Sequence, residues 1–484
     1  MASSRAGRLR LVVACVATAV ILGPILWFWR ASLLPDTYDA TRMGYPDTGG
    51  GLVHGGHGRG KDVSTFLADP SRPADVSITL TARRGSVRLA SGRLLDGYTL
   101  NGTSPGPTIR AVVGQLVEVT LVNESVPDGV TLHWHGVDVP NAQDGVAGVT
   151  QDAVRVGRSY VYRFVAEDAG TYWYHSHQVS HDQVAGGLLG ALVITPASTV
   201  DGVVALAHTY GGFRTVNGTE GDFAVPAAPG DVVRVRIVNT DNGPVPVWVA
   251  GAQYRLVAID GTDVRGPTDV SNRYVLVTAG GRADLSVTMP AGGSAARVHI
   301  GGPTGVLLGS GPIDPIARPS SALDPLAYGT PAALPFDPAA ADRVFRYDIG
   351  RRPGFLDGRP GMWWTVNGHT YPDLPMFMVA AGDVVRMRIS NHSGQVHPMH
   401  LHGHHMVVLS RDGVAASGSP WWTDSLNVAD GDAYDVAFVA DNPGVWMDHC
   451  HNLKHAAEGL VVHLMYEGVS TSYTIGGAAG NEPE

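Results

Sequence analysis

The sequence predicts an all-β protein of several domains, preceded by one N-terminal transmembrane helix. Three observations lead there. The composition holds 62 Gly and 32 Pro with only 16% charged residues, and Val and Thr runs recur along the chain, a usage that suits many short strands joined by turns. One strand-like pattern occurs three times at separations above 100 residues. A single long apolar run stands near the N-terminus. At 484 residues the chain can form two to four domains with separate cores. The net charge of -10, with no basic stripe beyond the first ten residues, excludes nucleic acid as a partner.

The first element is that apolar run, Leu11 to Trp29, preceded by Arg5, Arg8 and Arg10. It approaches the roughly 20 residues needed to cross a bilayer. A cleaved signal peptide would be shorter and end on small residues, whereas this run ends Leu26-Trp27-Phe28-Trp29-Arg30, with aromatics suited to an interface. The expectation is therefore an uncleaved single-pass anchor in the cell membrane, with the arginines inside and the remaining chain outside; secretion after cleavage is the alternative. No twin-arginine pair precedes the run. Of the two cysteines, Cys15 lies in the run and Cys450 near the C-terminus, so the exported part carries no disulfide within the chain.

The repeat reads Val113-Gly114-Gln115 to Asn123, Pro229-Gly230-Asp231 to Asn239, and Ala381-Gly382-Asp383 to Asn391, with Gly and Asn nine apart in each. Between them apolar and polar residues alternate, as in Val233-Arg234-Val235-Arg236-Ile237, the signature of a half-buried strand. Three related β-domains follow. Turn-rich stretches divide the chain into an anchor (1–34), a flexible Gly/His/Asp-rich spacer (35–73), domain one (74–198), domain two (199–311), a Pro-rich connector (312–340), domain three (341–468) and a loose tail (469–484).

Four His-x-His pairs carry the chemistry: His133/His135, His175/His177, His400/His402 and His449/His451. On a strand each pair presents two imidazoles to one side, and imidazole is a common ligand for copper and zinc. His133 follows Asn123 by ten residues and His400 follows Asn391 by nine, while domain two has Trp248 and Ala250 at the matching place. Gly170 to His175 and Gly444 to His449 span five residues in both cases. Domains one and three thus each donate four histidines to one multinuclear site, and domain two donates none. Cys450 lies between His449 and His451 and must point to the other face of its strand. With His397 and His455 it forms a His2Cys set, the ligand group of a blue-copper electron-transfer centre.

These motifs, His133-Trp134-His135-Gly136, His175-Ser176-His177, His397-Pro398-Met399-His400-Leu401-His402-Gly403 and His449-Cys450-His451 with His455 and Leu460, resemble those of the multicopper oxidases in their three-domain, laccase-like branch. The likeness covers about 75–466. It implies three cupredoxin-like Greek-key β-barrel or sandwich domains and four copper ions. By resemblance the type 1 copper is held by His397, Cys450 and His455, the type 2 copper by His133 and His400, and the type 3 pair by His135, His175, His451 and by His177, His402, His449. Leu460 matches the axial, non-ligand position of the type 1 copper, His455 the entry point for electrons, and Asp144 the place of an acid that relays protons. The implied reaction takes single electrons from a small-molecule reductant and reduces O2 to water. The absence of a Met-rich insertion moves the expected substrate towards phenols and other organic donors. A metal oxidase acting on Cu(I), Fe(II) or Mn(II) and a non-catalytic cupredoxin scaffold are the alternatives; the full set of ligands argues against the scaffold.

Other residues carry weaker expectations. His181, His404 and His405 are read as packing or supporting residues; His54 and His57 are read as ordinary spacer residues, weak copper binding being the alternative. Several bacterial relatives place a glutamate where this chain has Ala456, leaving Glu458 the nearest acid in sequence. Asp424 is read as a structural turn residue.

Overall fold

The computed structural model describes residues 2–51, 60–197, 202–313 and 316–484. A helix, Ala2–Ala31, opens the chain. Its 25-residue stretch Gly7–Ala31 is long and apolar enough to cross a membrane. At 1.5 Å per residue it spans about 38 Å against a hydrocarbon core of about 30 Å.

Three β-sandwiches follow, each built round one copy of the repeat. Leu116–Asn123, Val232–Asn239 and Val384–Asn391 each lie between a parallel neighbour (Val76–Arg88, Val203–Tyr210, Arg343–Leu356) and an antiparallel one (Ser159–Val165, Arg282–Thr288, Ala433–Val439). The alternation buries Val117, Val119 and Leu121 in the first core, Val235 and Ile237 in the second, and Val385, Met387 and Ile389 in the third. The repeated ends have physical reasons. Gly114, Gly230 and Gly382 turn into the strand at positive φ, where a β-carbon is strained. The side-chain amides of Asn123, Asn239 and Asn391 are buried and donate to loop carbonyls, among them Val126, Gly243 and Gln395 respectively. Without them these carbonyls would be left unpaired inside the protein.

In the first sandwich the second sheet runs Ile109–Val112, Leu189–Thr195, Gly170–His175, His133–His135. In the third it runs Tyr45–Asp47, Pro375–Val379, Val461–Tyr466, Val445–Cys450, His397–Leu401, Ser425–Val428. His133, His135 and His175 therefore sit on adjacent strands of the first sandwich and His400 and His449 on adjacent strands of the third, with His177, His402 and His451 just past the strand ends. The connector is ordered where described: Leu326 packs in the third core and Tyr328 in the second.

Two expectations are corrected. The spacer is not a free tether in its described parts. Thr37–Tyr38 pairs with Ile475–Gly476, Tyr45–Asp47 extends the third sandwich beside Pro375–Val379, and Lys61–Asp62 pairs with Val469–Ser470. The tail is likewise held, with Ile475 and Asn481 buried. Asn481 accepts from Ala153 N (2.9 Å) and donates to Asp152 (2.7 Å) in the first sandwich. Strands of two or three residues are too short to show a periodicity, so neither segment announced its pairing.

Candidate metal centre

Strand register assembles the histidines. His133 and His135 pair with His175 and Trp173 in the first sandwich, and His400 pairs with His449 in the third. Where the two sandwiches meet, donor atoms gather into groups whose members all lie within 4.8 Å of one another: His133, His135 and His400; His135, His175 and His451; and His177, His402 and His449. His133 Nε2 faces His400 Nε2 at 3.3 Å, and His402 Nε2 faces His449 Nε2 at 3.1 Å. All eight are buried. Burial, reinforced by neighbouring imidazoles, holds His175, His177, His402, His449 and His451 well below the ordinary imidazole pKa, so each offers a neutral lone pair.

Cys450 points to the opposite face of its strand and packs with Leu460 in the third core. Its Sγ lies 3.5 Å from His397 Nδ1 and 3.7 Å from His455 Nδ1, and these two nitrogens are 3.2 Å apart. Burial pushes the Cys450 thiol up and pulls His397 down to about 3. The Trp364 ring lies 4.8 Å from His397 and 4.5 Å from His455, centroid to centroid, and its Nε1 donates to Glu458 (2.9 Å). Ser393 Oγ meets His397 Nε2 at 2.7 Å. The Leu460 carbonyl accepts from Cys450 N at 3.1 Å.

A shell of acids orients the imidazoles. The buried Asp144 carboxylate accepts from His133 Nδ1 (3.0 Å) and His402 Nδ1 (3.1 Å). Gly145 places it there: its φ is +76°, and a β-carbon would collide with the Leu132 carbonyl. Asp424 corrects the sequence reading, since it is a centre of charge rather than a turn residue. Arg282 of the second sandwich grips its carboxylate at 2.7 and 2.5 Å, Ser425 Oγ donates at 2.8 Å, and His135 Nε2 lies 3.2 Å away. The Asp424 carbonyl accepts from His400 Nδ1 at 2.8 Å. Burial alone would raise its pKa, but Arg282 and the hydrogen bonds from His135, His400 and His405 hold it well below the carboxylate range. Domain two, which has Trp248 and Ala250 at the place matching the histidine pairs, thus supplies the cation that pins the site.

The tail also reaches the site. Glu484 Oε1 lies 3.4 Å from His449 Nδ1 and 3.7 Å from His177 Nε2, and Ser180 Oγ donates to Oε2 at 2.8 Å. The Pro483 carbonyl accepts from His177 Nδ1 at 2.9 Å. Sequence reasoning missed Arg282 and Glu484 because neither lies in a motif. His404 bonds Tyr466 and the His402 carbonyl, a supporting place, and His405 sits between Asp138 and Asp424. His181 is 3.8 Å from Asp182, away from the cluster. His54 and His57 lie outside the described residues.

Two family models described as multicopper oxidase match residues 82–199 and 346–468. Multicopper oxidase MmcO of Mycobacterium tuberculosis is 28% identical, covering 84% of this chain and 91% of its own. Laccase-1 of Botryotinia fuckeliana is 29% identical over 80% and 82% of the two chains. An iron transport multicopper oxidase, fetC of Epichloe festucae, is 25% identical over 75% and 71%. The crystal structure of a multicopper oxidase from Pseudomonas thermotolerans superposes with a TM-score of 0.68 at 27% identity, covering 81% of this chain and all of that one. With matches to its first and third sandwiches and a cupredoxin-like fold shared with these relatives, the chain belongs to the multicopper oxidase family.

Proposed function

We propose that the chain oxidises phenolic or other organic reductants one electron at a time and reduces O2 to water, working as a membrane-anchored, extracytoplasmic laccase-like enzyme. One observation carries the reading: eleven donor side chains fall into a His2Cys group and an eight-histidine group, joined through the consecutive residues His449, Cys450 and His451.

The residues fit copper. Buried ring nitrogens of His135, His175, His177 and His451 have no hydrogen-bond partner among the described residues. Each such nitrogen costs about 1–3 kcal/mol unless something binds it, and soft thiolate with imidazole suits copper. His397, Cys450 and His455 would hold a type 1 copper, with the Leu460 side chain packed in the same core as Cys450. His133 and His400 would hold a type 2 copper, and His135, His175, His451 and His177, His402, His449 a type 3 pair. When bound, these four ions supply single-electron uptake at the first centre and four-electron O2 reduction at the others.

The chain does the rest. His455 and Trp364 form the edge at which a donor arrives, and Cys450 passes the electron along its backbone to His449 and His451. Asp144 fixes the rings of His133 and His402 and stands where a proton is needed. Burial of the eight histidines excludes bulk water. The carboxylate acting on His455 is Glu458, whose Oε2 accepts from Trp364 Nε1. The iron-transport relative keeps a metal-ion substrate as the second reading.

Copper analysis of the purified chain should give four ions, and Cys450→Ser should lose the blue absorption and oxidase activity while keeping its β-sheet circular dichroism. An unchanged visible spectrum in Cys450→Ser would overturn the assignment. Faster turnover of Fe(II) or Cu(I) than of a phenol would select the second reading.

A further inference from the structure

A cavity of about 590 Å³ lies between the foot of the N-terminal helix, the tip of the third-sandwich hairpin and the loop after His455. Its walls include Leu34, Leu356, Trp363, Ala457, Glu458 and His463. The volume falls within the range of about 300–1,000 Å³ typical of small-molecule sites.

The helix is fastened to that hairpin. The Ser32 carbonyl accepts from Asp357 N (2.9 Å), Ser32 Oγ accepts from Gly358 N (3.1 Å), and Asp357 Oδ1 accepts from Leu34 N (3.4 Å). Trp29 lies so close over Gly358 that a β-carbon there would sit 2.8 Å from its Nε1. The tip is therefore held at the end of the apolar helix, where aromatic side chains mark the headgroup level. Its composition suits that place. Arg351, Arg352 and Arg359 are exposed on the hairpin beside the half-exposed Met362, a mixture of cationic and apolar groups that fits an anionic lipid surface.

The same hairpin leads to the His2Cys group. Trp364 lies five residues beyond Arg359, about 17 Å along an extended strand, and its ring abuts His455. Ala456 and Ala457, which follow His455, line the cavity. Polar and apolar groups share its walls: beside Tyr38, Asp357, Arg359, Tyr371, Glu482 and Glu484 stand the Glu458 carboxylate and the buried His463, whose Nε2 lacks a hydrogen-bond partner among the described residues.

We infer that this cavity receives the head group of a hydroquinone dissolved in the bilayer, whose apolar tail stays among the lipid chains. The inference rests on the phenol-oxidising reading of the His2Cys site and specifies the route by which the donor arrives. Glu458 and His463 accept hydrogen bonds from the ring hydroxyls; burial keeps the His463 imidazole neutral near pH 7. The reaction balances without another oxidant. Two hydroquinones become two quinones, releasing four electrons and four protons, and one O2 takes up four of each to give two waters.

The test uses the full, copper-loaded chain in vesicles of phosphatidylcholine and phosphatidylglycerol. The probes are an azido-benzoquinone with a decyl tail and the same ring without the tail. Peptide mapping after illumination should place the tailed label in residues 356–363 and 456–463, at least about tenfold above the untailed ring, because the tail concentrates the probe in the bilayer. Ala457→Trp, which fills the mouth without touching a metal donor, should abolish that labelling while retaining copper and the blue absorption. If this variant loses its copper, Leu34→Glu, which charges the lipid-side mouth, makes the same test.

Labelling elsewhere, or labelling unchanged in the variant, overturns the inference. Labelling at these residues without hydroquinone turnover upholds the site and refutes the phenol-oxidising reading instead. Oxidation of the untailed hydroquinone without label in the cavity upholds that reading and refutes the membrane route.

Discussion

Replacing Asp424 by Asn removes one charge from a fully buried pair. Arg282 is then left with its guanidinium enclosed and only Asp260, at 3.7 Å, to balance it. Breaking such a pair costs about 3–5 kcal/mol, because the surviving ion cannot be solvated. Asparagine keeps one acceptor for Arg282, so the lower end, about 3 kcal/mol, is expected, or a fall of roughly 3 °C in unfolding temperature for a chain of this length. The same change loosens His135, 3.2 Å from the carboxylate. Loss of a supporting carboxylate lowers metal affinity by about 10–100-fold, so copper should leave the cluster first when a chelator competes. Calorimetry of Asp424→Asn, Arg282→Met and the double variant, with copper content after chelation, measures both effects. The double variant should be less destabilised than the two single costs added together, since neither Asp424 nor Arg282 is then left without the other. An unfolding temperature within about 1 °C of the parent and unchanged copper retention would refute this account and return Asp424 to the role of a turn residue.

Leu460→Met should lower the reduction potential of the blue centre, because a thioether favours the oxidised ion where leucine offers no donor; redox titration of the blue band checks it. The swap nearly conserves volume and should cost less than about 1.5 kcal/mol, so the potential can be read on a folded protein. Gly145→Ala should displace Asp144 and deplete the copper cluster, with at least about 1–2 kcal/mol lost to the left-handed backbone alone; full loading of the variant would contradict it. His463 predicts a pH dependence: burial pulls it from 6.5 to about 4, so between those values the unfolded chain binds the extra proton and stability falls as pH drops below 6.5. At 1.36 kcal/mol per pH unit the loss reaches about 3 kcal/mol by pH 4, and denaturant titrations of His463→Gln should lack this contribution.

The sequence alone determined the class of fold and which histidines share one face of a strand. Alternation between Gly114 and Asn123 and in its two copies specifies a strand because side chains alternate between faces, and it recurs in all three sandwiches. The same alternation separates Cys450 from His449 and His451, so one face of Val445–Cys450 serves the eight histidines and the other the His2Cys group. These are local rules, readable within about ten residues. Tertiary structure decided whatever depends on residues far apart in the chain. Arg282 and Asp424 are 142 positions apart and become partners only when the second and third sandwiches close on each other. Glu484 reaches His449 and His177 because the tail pairs with the segment after the helix and packs on the first sandwich. Asp357 meets Ser32 across more than 300 residues, joining the hairpin beside His455 to the N-terminal helix. No periodicity encodes such contacts: each is a single polar residue whose partner is chosen by the packing of whole sheets, where burial makes an unpaired charge or carbonyl too costly to leave.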